Sequence, residues 1–255
     1  PSAAIPAGQY RAQWNDDYHH AWHAWLTGES FGYYGDYADS ALHIARTMAD
    51  GFTYQGEPSP HRSGKRRGET SKDLSPLAFV NFLQNHDQIG NRALGERLAA
   101  LAAPAMAEAA LTILLLSPSP PLLFMGEEWG SQRPFPFFCD FTGDLANAVR
   151  NGRKREFADA YADASIDVPD PLADATMQSA KLDWEAARSG AGAERLALTK
   201  ALLRARREHI VPLLRDLMPG AATASFVDTL LQAEWRTPKA ALRLAATFSA
   251  APPPK

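Results

Sequence analysis

The feature that most constrains this chain is a strand–helix–strand phrase near its middle. Leu77–Leu83 is a short apolar run containing Phe and Val, the composition of a strand buried on both faces. It gives way abruptly to Asn85-His86-Asp87. Helical stretches are expected over Asn91–Leu101 and Pro104–Leu116, the second with proline in a first-turn position, where its missing N–H costs nothing. Pro121–Met125 then reads as another buried strand, closing on Gly126-Glu127-Glu128. Buried strands joined through helices, with polar residues at the strands' C-terminal ends, make a parallel α/β sheet whose chemistry sits at that edge.

The flanks are of different texture. Residues 1–56 are rich in aromatics and histidine, and Tyr10–Trp14 is extended enough for a short strand. Asp16 or Asp17 is the expected N-cap of a helix to about Leu26, which Gly28 stops. A second helix is expected over Tyr37–Ala49, with Ala41, Leu42, Ile44, Ala45 and Met48 at helical spacing. Residues 57–76 offer almost nothing to bury. Their basic run, His61–Gly68 with Arg62, Lys65, Arg66 and Arg67, reads as a solvated loop, with an anion site as the alternative. Downstream, a charged helix from Gly143 to about Tyr161 is expected, with Asn151-Gly152 as a candidate break. A Pro/Asp-rich linker runs through Pro171, and a helix over Glu194–Glu208 is ended by Pro212. Ala224–Val227 and Ala241–Phe248 are β-like and read as the start of a separate β domain, before the tail Ala251-Pro252-Pro253-Pro254-Lys255.

Composition excludes more than it assigns. At 45% apolar and 22% charged residues the chain carries enough core material to rule out disorder. Its 255 residues suit one or two domains. The charge balance, 26 basic against 29 acidic, gives no reason to expect nucleic acid or a membrane surface as partner. Cys139 is the single cysteine, so an intramolecular disulfide and a four-cysteine zinc site are excluded, and a reducing compartment suits it. The apolar run Leu111–Leu116, broken only by Thr112, falls far short of the ~20 residues that cross a bilayer.

Three clusters are candidates for chemistry. In Asn85-His86-Asp87, a carboxylate and an imidazole at a strand's C-terminal end can grip a polyhydroxylated ligand, the Asp accepting two hydroxyl hydrogen bonds and the His adding a third. The alternative is a turn Asp that caps the following helix. In Trp14-Asn15-Asp16-Asp17-Tyr18-His19-His20, adjacent histidines on a helix point ~100° apart and do not readily share an ion. Asp16 and His20 at i,i+4 could. Helix capping, or polar contacts to a sugar beside the stacking faces of Trp14 and Tyr18, are the other readings. Glu127-Glu128 could supply a catalytic carboxylate or could simply cap their own segment. Asp174, Asp183 and Glu185 read as solvated surface charge. No phosphate-cradling Gly-rich loop, GxSxG elbow or HExxH occurs.

Phe82-Leu83-Gln84-Asn85-His86-Asp87-Gln88-Ile89-Gly90-Asn91, followed by Gly95-Glu96-Arg97-Leu98, resembles a late-barrel signature of the α-amylase superfamily. With Gln13–His20, Pro121–Gly130, Phe137–Phe141 and Asn151–Phe157, the resemblance is to the malto-oligosyltrehalose trehalohydrolase branch. It implies an α/β fold: the last three strands of a (β/α)8 TIM barrel in residues 1–165, a linker and helical segment in 166–212, and the start of a C-terminal β-sandwich in 213–255. It implies hydrolysis of the α-1,4 bond that joins a maltodextrin to its terminal trehalose. Asp87 matches the transition-state-stabilising aspartate, with His86 assisting. Gln88, Ile89, Gly90 and Asn91, and Asp16, Asp17, Tyr18, His19 and His20, match positions lining the substrate cleft. Maltooligosyl trehalose is the implied substrate, with no metal or organic cofactor and a cytoplasmic setting.

One departure from the family pattern shapes the expectation. A retaining glycosidase needs a nucleophile and a general acid about 5–5.5 Å apart, and in this family both stand on earlier barrel strands. Neither is found here, and only three of eight strands are recognisable. The sequence therefore reads as a carboxyl-side portion, truncated at both ends and inactive alone. A glycogen-branching enzyme shares the Leu-Leu-Phe-Met-Gly-Glu phrase, but the Asn-His-Asp-Gln-Ile-Gly-Asn and Trp-Asn-Asp-Asp-Tyr-His-His runs argue against it. A non-catalytic glycan-binding module would require autonomous folding.

Overall fold

A computed structural model describes residues 10–158 and 166–248. In chain order the main elements are β1 (Gln13–Trp14), α1 (Asp16–Thr27), α2 (Ser40–Asp50), β2 (Glu57–Pro58), β3 (Arg66–Arg67), β4 (Phe79–Val80), α3 (His86–Gly90), α4 (Leu98–Leu101), α5 (Pro104–Leu116), α6 (Gly143–Glu156), α7 (Asp174–Ser179), α8 (Gly190–Ala205), β5 (Thr223–Val227), β6 (Leu230–Arg236) and β7 (Ala241–Thr247). The expected helix end at Tyr161, the boundary at residue 165 and the proline-rich tail lie outside the described residues. The chain divides into two compact units. The first takes its described residues from Pro1–Leu83, Ala102–Leu122 and Thr199–Lys255, the second from Gln84–Leu101 and Leu123–Leu198.

In the first unit, β1 runs parallel to β4, with Gln13 opposite Phe79 and Trp14 opposite Val80. Asn81 then bridges Pro121 in the parallel sense. The Asn81 N–H donates to Pro120 O, and Asn81 O accepts from the Leu122 N–H. The three segments anticipated as strands are therefore parallel neighbours, but shorter than expected. Leu77–Leu83 shrinks to Phe79–Val80 because Ser75 caps a 3₁₀ turn over Pro76–Ala78. Pro121–Met125 shrinks to one bridge, since a proline has no N–H to extend a ladder. Asn15, not Asp16 or Asp17, caps α1: its Oδ1 accepts from the Tyr18 N–H at 3.2 Å, while its Nδ2 donates to Gly51 O and Asn81 Oδ1. Gly28 ends the helix at φ +72°, its N–H bonded to Ala24 O.

α5 fills the core of this unit with Ala110, Leu111, Leu114 and Leu115, all inaccessible to solvent. The guanidinium of Arg206, in a π turn after α8, donates to four carbonyls that close the C-terminal end of α5, those of Leu115, Ser117, Pro118 and Ser119. The sheet β5–β6–β7 is an antiparallel meander. Its middle strand, β6, carries no plain apolar run, but Leu231, Ala233 and Trp235 alternate inward between polar residues. Trp25 packs on Phe226 and Phe248, and the Trp235 Nε1 donates to Met48 O, so the meander shares its core with α1 and α2. The basic run is a hairpin rather than a plain loop, with Glu57 opposite Arg67 and Pro58 opposite Arg66.

In the second unit only Leu98–Leu101 of the expected Asn91–Leu101 helix forms, as α4; a separate short helix, α3, precedes it, and residues 91–97 between them are irregular. Gly95 interrupts the helix at φ +68°, where an added Cβ would meet the backbone of Phe135 and Pro136 within 2.5 Å. The Phe135 N–H donates to Gly95 O at that crossing. Asn151-Gly152 does not break α6, which runs through to Glu156.

Candidate functional site

Two clusters begin in the same way, a parallel strand segment followed by a capping asparagine and an acid in the first helical turn. In the second unit the cap is Asn85, whose buried side-chain oxygen accepts from the Asp87 N–H at 2.8 Å. Asp87 is thus not the capping residue, and the alternative reading of it as a turn cap does not hold. His86 and Asp87 are exposed, Gln88, Ile89 and Gly90 are buried, and Asn91 is exposed. Burial of the last three anchors α3 and leaves the first two at the surface. Asn91 Nδ2 donates to Asp87 Oδ1 at 2.9 Å, which fixes one carboxylate oxygen. The remaining acceptor capacity of Asp87 suits a ligand rich in hydroxyls.

In the first unit Asp17 is buried and fully engaged. Its Oδ1 accepts from Tyr37 Oη at 2.5 Å and Arg67 Nη2 at 2.6 Å, its Oδ2 from the N–H groups of Thr53 and Tyr54 at 2.9 and 3.2 Å. Arg67 also donates to Tyr37 Oη and stacks over the Tyr54 ring. Nothing in the local sequence pairs residues 17 and 67; the hairpin brings them together. Tyr18 is wholly buried, and burial pushes its phenol well above the usual range. His19 Nδ1 lies 2.5 Å from Leu83 O, so it carries the proton, and Nε2 accepts from Tyr34 Oη at 3.0 Å. His20 is packed among Tyr33, Tyr34 and Tyr37. Burial, with the charge of Arg67 next and then His23, pushes it down to about 3, so it is neutral at ordinary pH. Asp16 is exposed and, with the half-exposed Trp14, lines a cavity of about 430 Å³ that Arg67 and Glu69 also border. Among the described residues no three His, Cys, Asp or Glu side chains converge as a metal site.

Glu127 and Glu128 are tied to their own loop, Glu127 Oε2 accepting from the Phe124 N–H and Glu128 Oε2 from that of Gly126. Burial pushes Glu127 up to about 8. Arg97, which enters the sequence only as part of the Gly95-Glu96-Arg97-Leu98 phrase, is wholly buried. It donates to the carbonyls of Arg133 and Met125 and stacks over Phe124, so it fixes the same loop.

No family model matches the chain. It is 43% identical over 199 residues to a malto-oligosyltrehalose trehalohydrolase of Deinococcus radiodurans, covering 78% of this chain and 33% of that one. A malto-oligosyltrehalose trehalohydrolase of Brevibacterium helvolum is 41% identical over 85% of this chain and 36% of its own length. The crystal structure of a Salmonella typhimurium protein, provisionally described as an alpha amylase, superposes with a TM-score of 0.90 at 49% identity, over 96% of this chain and 42% of that one. The chain spans about a third of the length of the curated relatives it matches.

Proposed function

From this kinship with malto-oligosyltrehalose trehalohydrolases, we propose that the chain forms the Asp87-bearing part of a glycosidase cleft acting on maltooligosyl trehalose. β1, β4 and the segment at Pro121 stand for three successive strands of a (β/α)8 barrel, and β5–β7 for the start of a C-terminal β-sandwich. The corresponding division is residues 1–165, 166–212 and 213–255. Asp87 accepts hydroxyls of the sugar being cleaved and offsets positive charge as the ring turns oxocarbenium-like. His86 adds a hydrogen bond and Gln88 to Asn91 line the substrate, while Asp16 to His20 supply a separate wall within the first unit. Asp16 takes part directly, whereas Asp17, Tyr18 and His19 do so by holding the wall. The acid and the nucleophile come from polypeptide outside the matched third, so the 255-residue chain alone releases no trehalose.

The observation that carries this reading is an exposed carboxylate, held by one asparagine, on the turn after a parallel strand. The test is a hybrid in which this chain replaces the matching third of the Deinococcus radiodurans enzyme. Trehalose release by the hybrid, lost on the order of 10²–10³-fold in D87N, is the expected result. A folded, active hybrid indifferent to D87N would overturn it.

A further inference from the structure

Arg153 stands on α6, about sixty positions beyond the strand-end turn, yet its guanidinium reaches back to that turn. Its Nη2 donates to Arg92 O at 3.1 Å and, over a longer 3.4 Å, to Gly90 O. Those carbonyls belong to the residues on either side of Asn91, the residue that donates to Asp87 Oδ1. The Asn91 N–H is itself committed to Asp87 O at 2.9 Å. The guanidinium lies over the rings of Phe157 and Phe137, at 4.4 and 5.4 Å from their centroids, and Nη1 reaches Glu156. The residue is only 9% exposed.

A five-residue helix has little rigidity of its own, because its hydrogen bonds are few and its last carbonyls lack partners within it. Here one guanidinium nitrogen, Nη2, donates to two carbonyls at once while the planar group is held over two aromatic rings, a placement that an ammonium on a flexible stem does not reproduce. We propose that Arg153 is a positioning residue for Asp87, acting through Asn91: it fixes the backbone on both sides of Asn91, and Asn91 in turn sets the carboxylate's orientation. This rests on the reading of Asp87 as the sugar-gripping carboxylate.

Two measurements test it. In this chain, nitrogen-edited NMR of the Asn91 side-chain amide should show its protons exchanging faster with water in R153K, while the amide signals of the first unit stay in place. An Asn91 amide unmoved by R153K would overturn the proposal. In the hybrid enzyme, R153K should lower kcat about 10–100-fold with KM within about twofold, and N91A should do the same. In a D87N background R153K should then add no further loss, since its effect passes through the carboxylate. An equal loss with and without Asp87 would mean that Arg153 merely supports the fold, and would overturn the inference. An active hybrid in which D87N itself costs nothing would instead sink the reading of Asp87, leaving the NMR result to decide the contact.

Discussion

The turns after β1 and β4 begin alike and end differently. Asn15 and Asn85 each cap a helix with an acid in its first turn. Beyond the cap, Asp17 accepts two side-chain and two backbone donors, while Asp87 accepts from Asn91 and otherwise faces water. The lesson is that an acid's neighbours in sequence do not reveal its work. What distinguishes these two is the distant segment that folds over one of them: the 57–67 hairpin brings Arg67 onto Asp17, and the backbone at 53–54 closes over its other oxygen.

The comparison can be broken by substitution. D17A should be the most damaging, because it strands a half-buried guanidinium and two backbone N–H groups; a loss of about 3–5 kcal/mol in urea unfolding is expected. A loss below ~1 kcal/mol would mean the four contacts carry no weight. Next comes pH. Unfolded, His20 takes up a proton near 6.5, whereas folded it resists until about 3. The unfolded state therefore binds more protons between those values, and stability falls as pH drops from about 6.5 toward 3. H20F should flatten that slope in urea midpoints at several pH values; an unchanged slope would place its origin elsewhere. The caps should differ too. N85A should cost about 1 kcal/mol, and N15A more, because Asn15 also bonds Gly51 and Asn81. Equal losses would deny the extra bonds any role. Smallest of all, D87A should change stability by no more than ~0.5 kcal/mol, and a larger loss would show Asp87 to be structural.

Much of this was legible in the sequence where local rules suffice. The places of helices α1, α2 and α5, the stop at Gly28 and the parallel sense of the segments at Leu77–Leu83 and Pro121–Met125 follow from periodicity and apolar runs, whereas the cap of α1 does not. Strand lengths did not, because Pro76 and Pro121 set limits that an apolar run conceals. The meander's middle strand was hidden by Gln232, Glu234 and Arg236, whose polarity masks an inward alternation. Of the candidate site, Asp87 stands out only through the resemblance of its whole phrase, Phe82 to Asn91, to the α-amylase superfamily, and not through its local neighbours. The fates of Asp17 and His19 depend on Arg67, Thr53, Tyr34 and Leu83, all distant in sequence, so no local pattern could report them.

The four carbonyls held by Arg206 have a consequence for biosynthesis. Residues 115–119 leave the ribosome well before their clasp: 87 positions separate Ser119 from Arg206, roughly ten seconds of elongation. During that interval those oxygens lack the guanidinium that holds them in the folded unit. The nascent polypeptide must keep that corner wetted or chaperoned until the arginine emerges, and a stall in that window would expose the leucine-rich face of α5 to other chains.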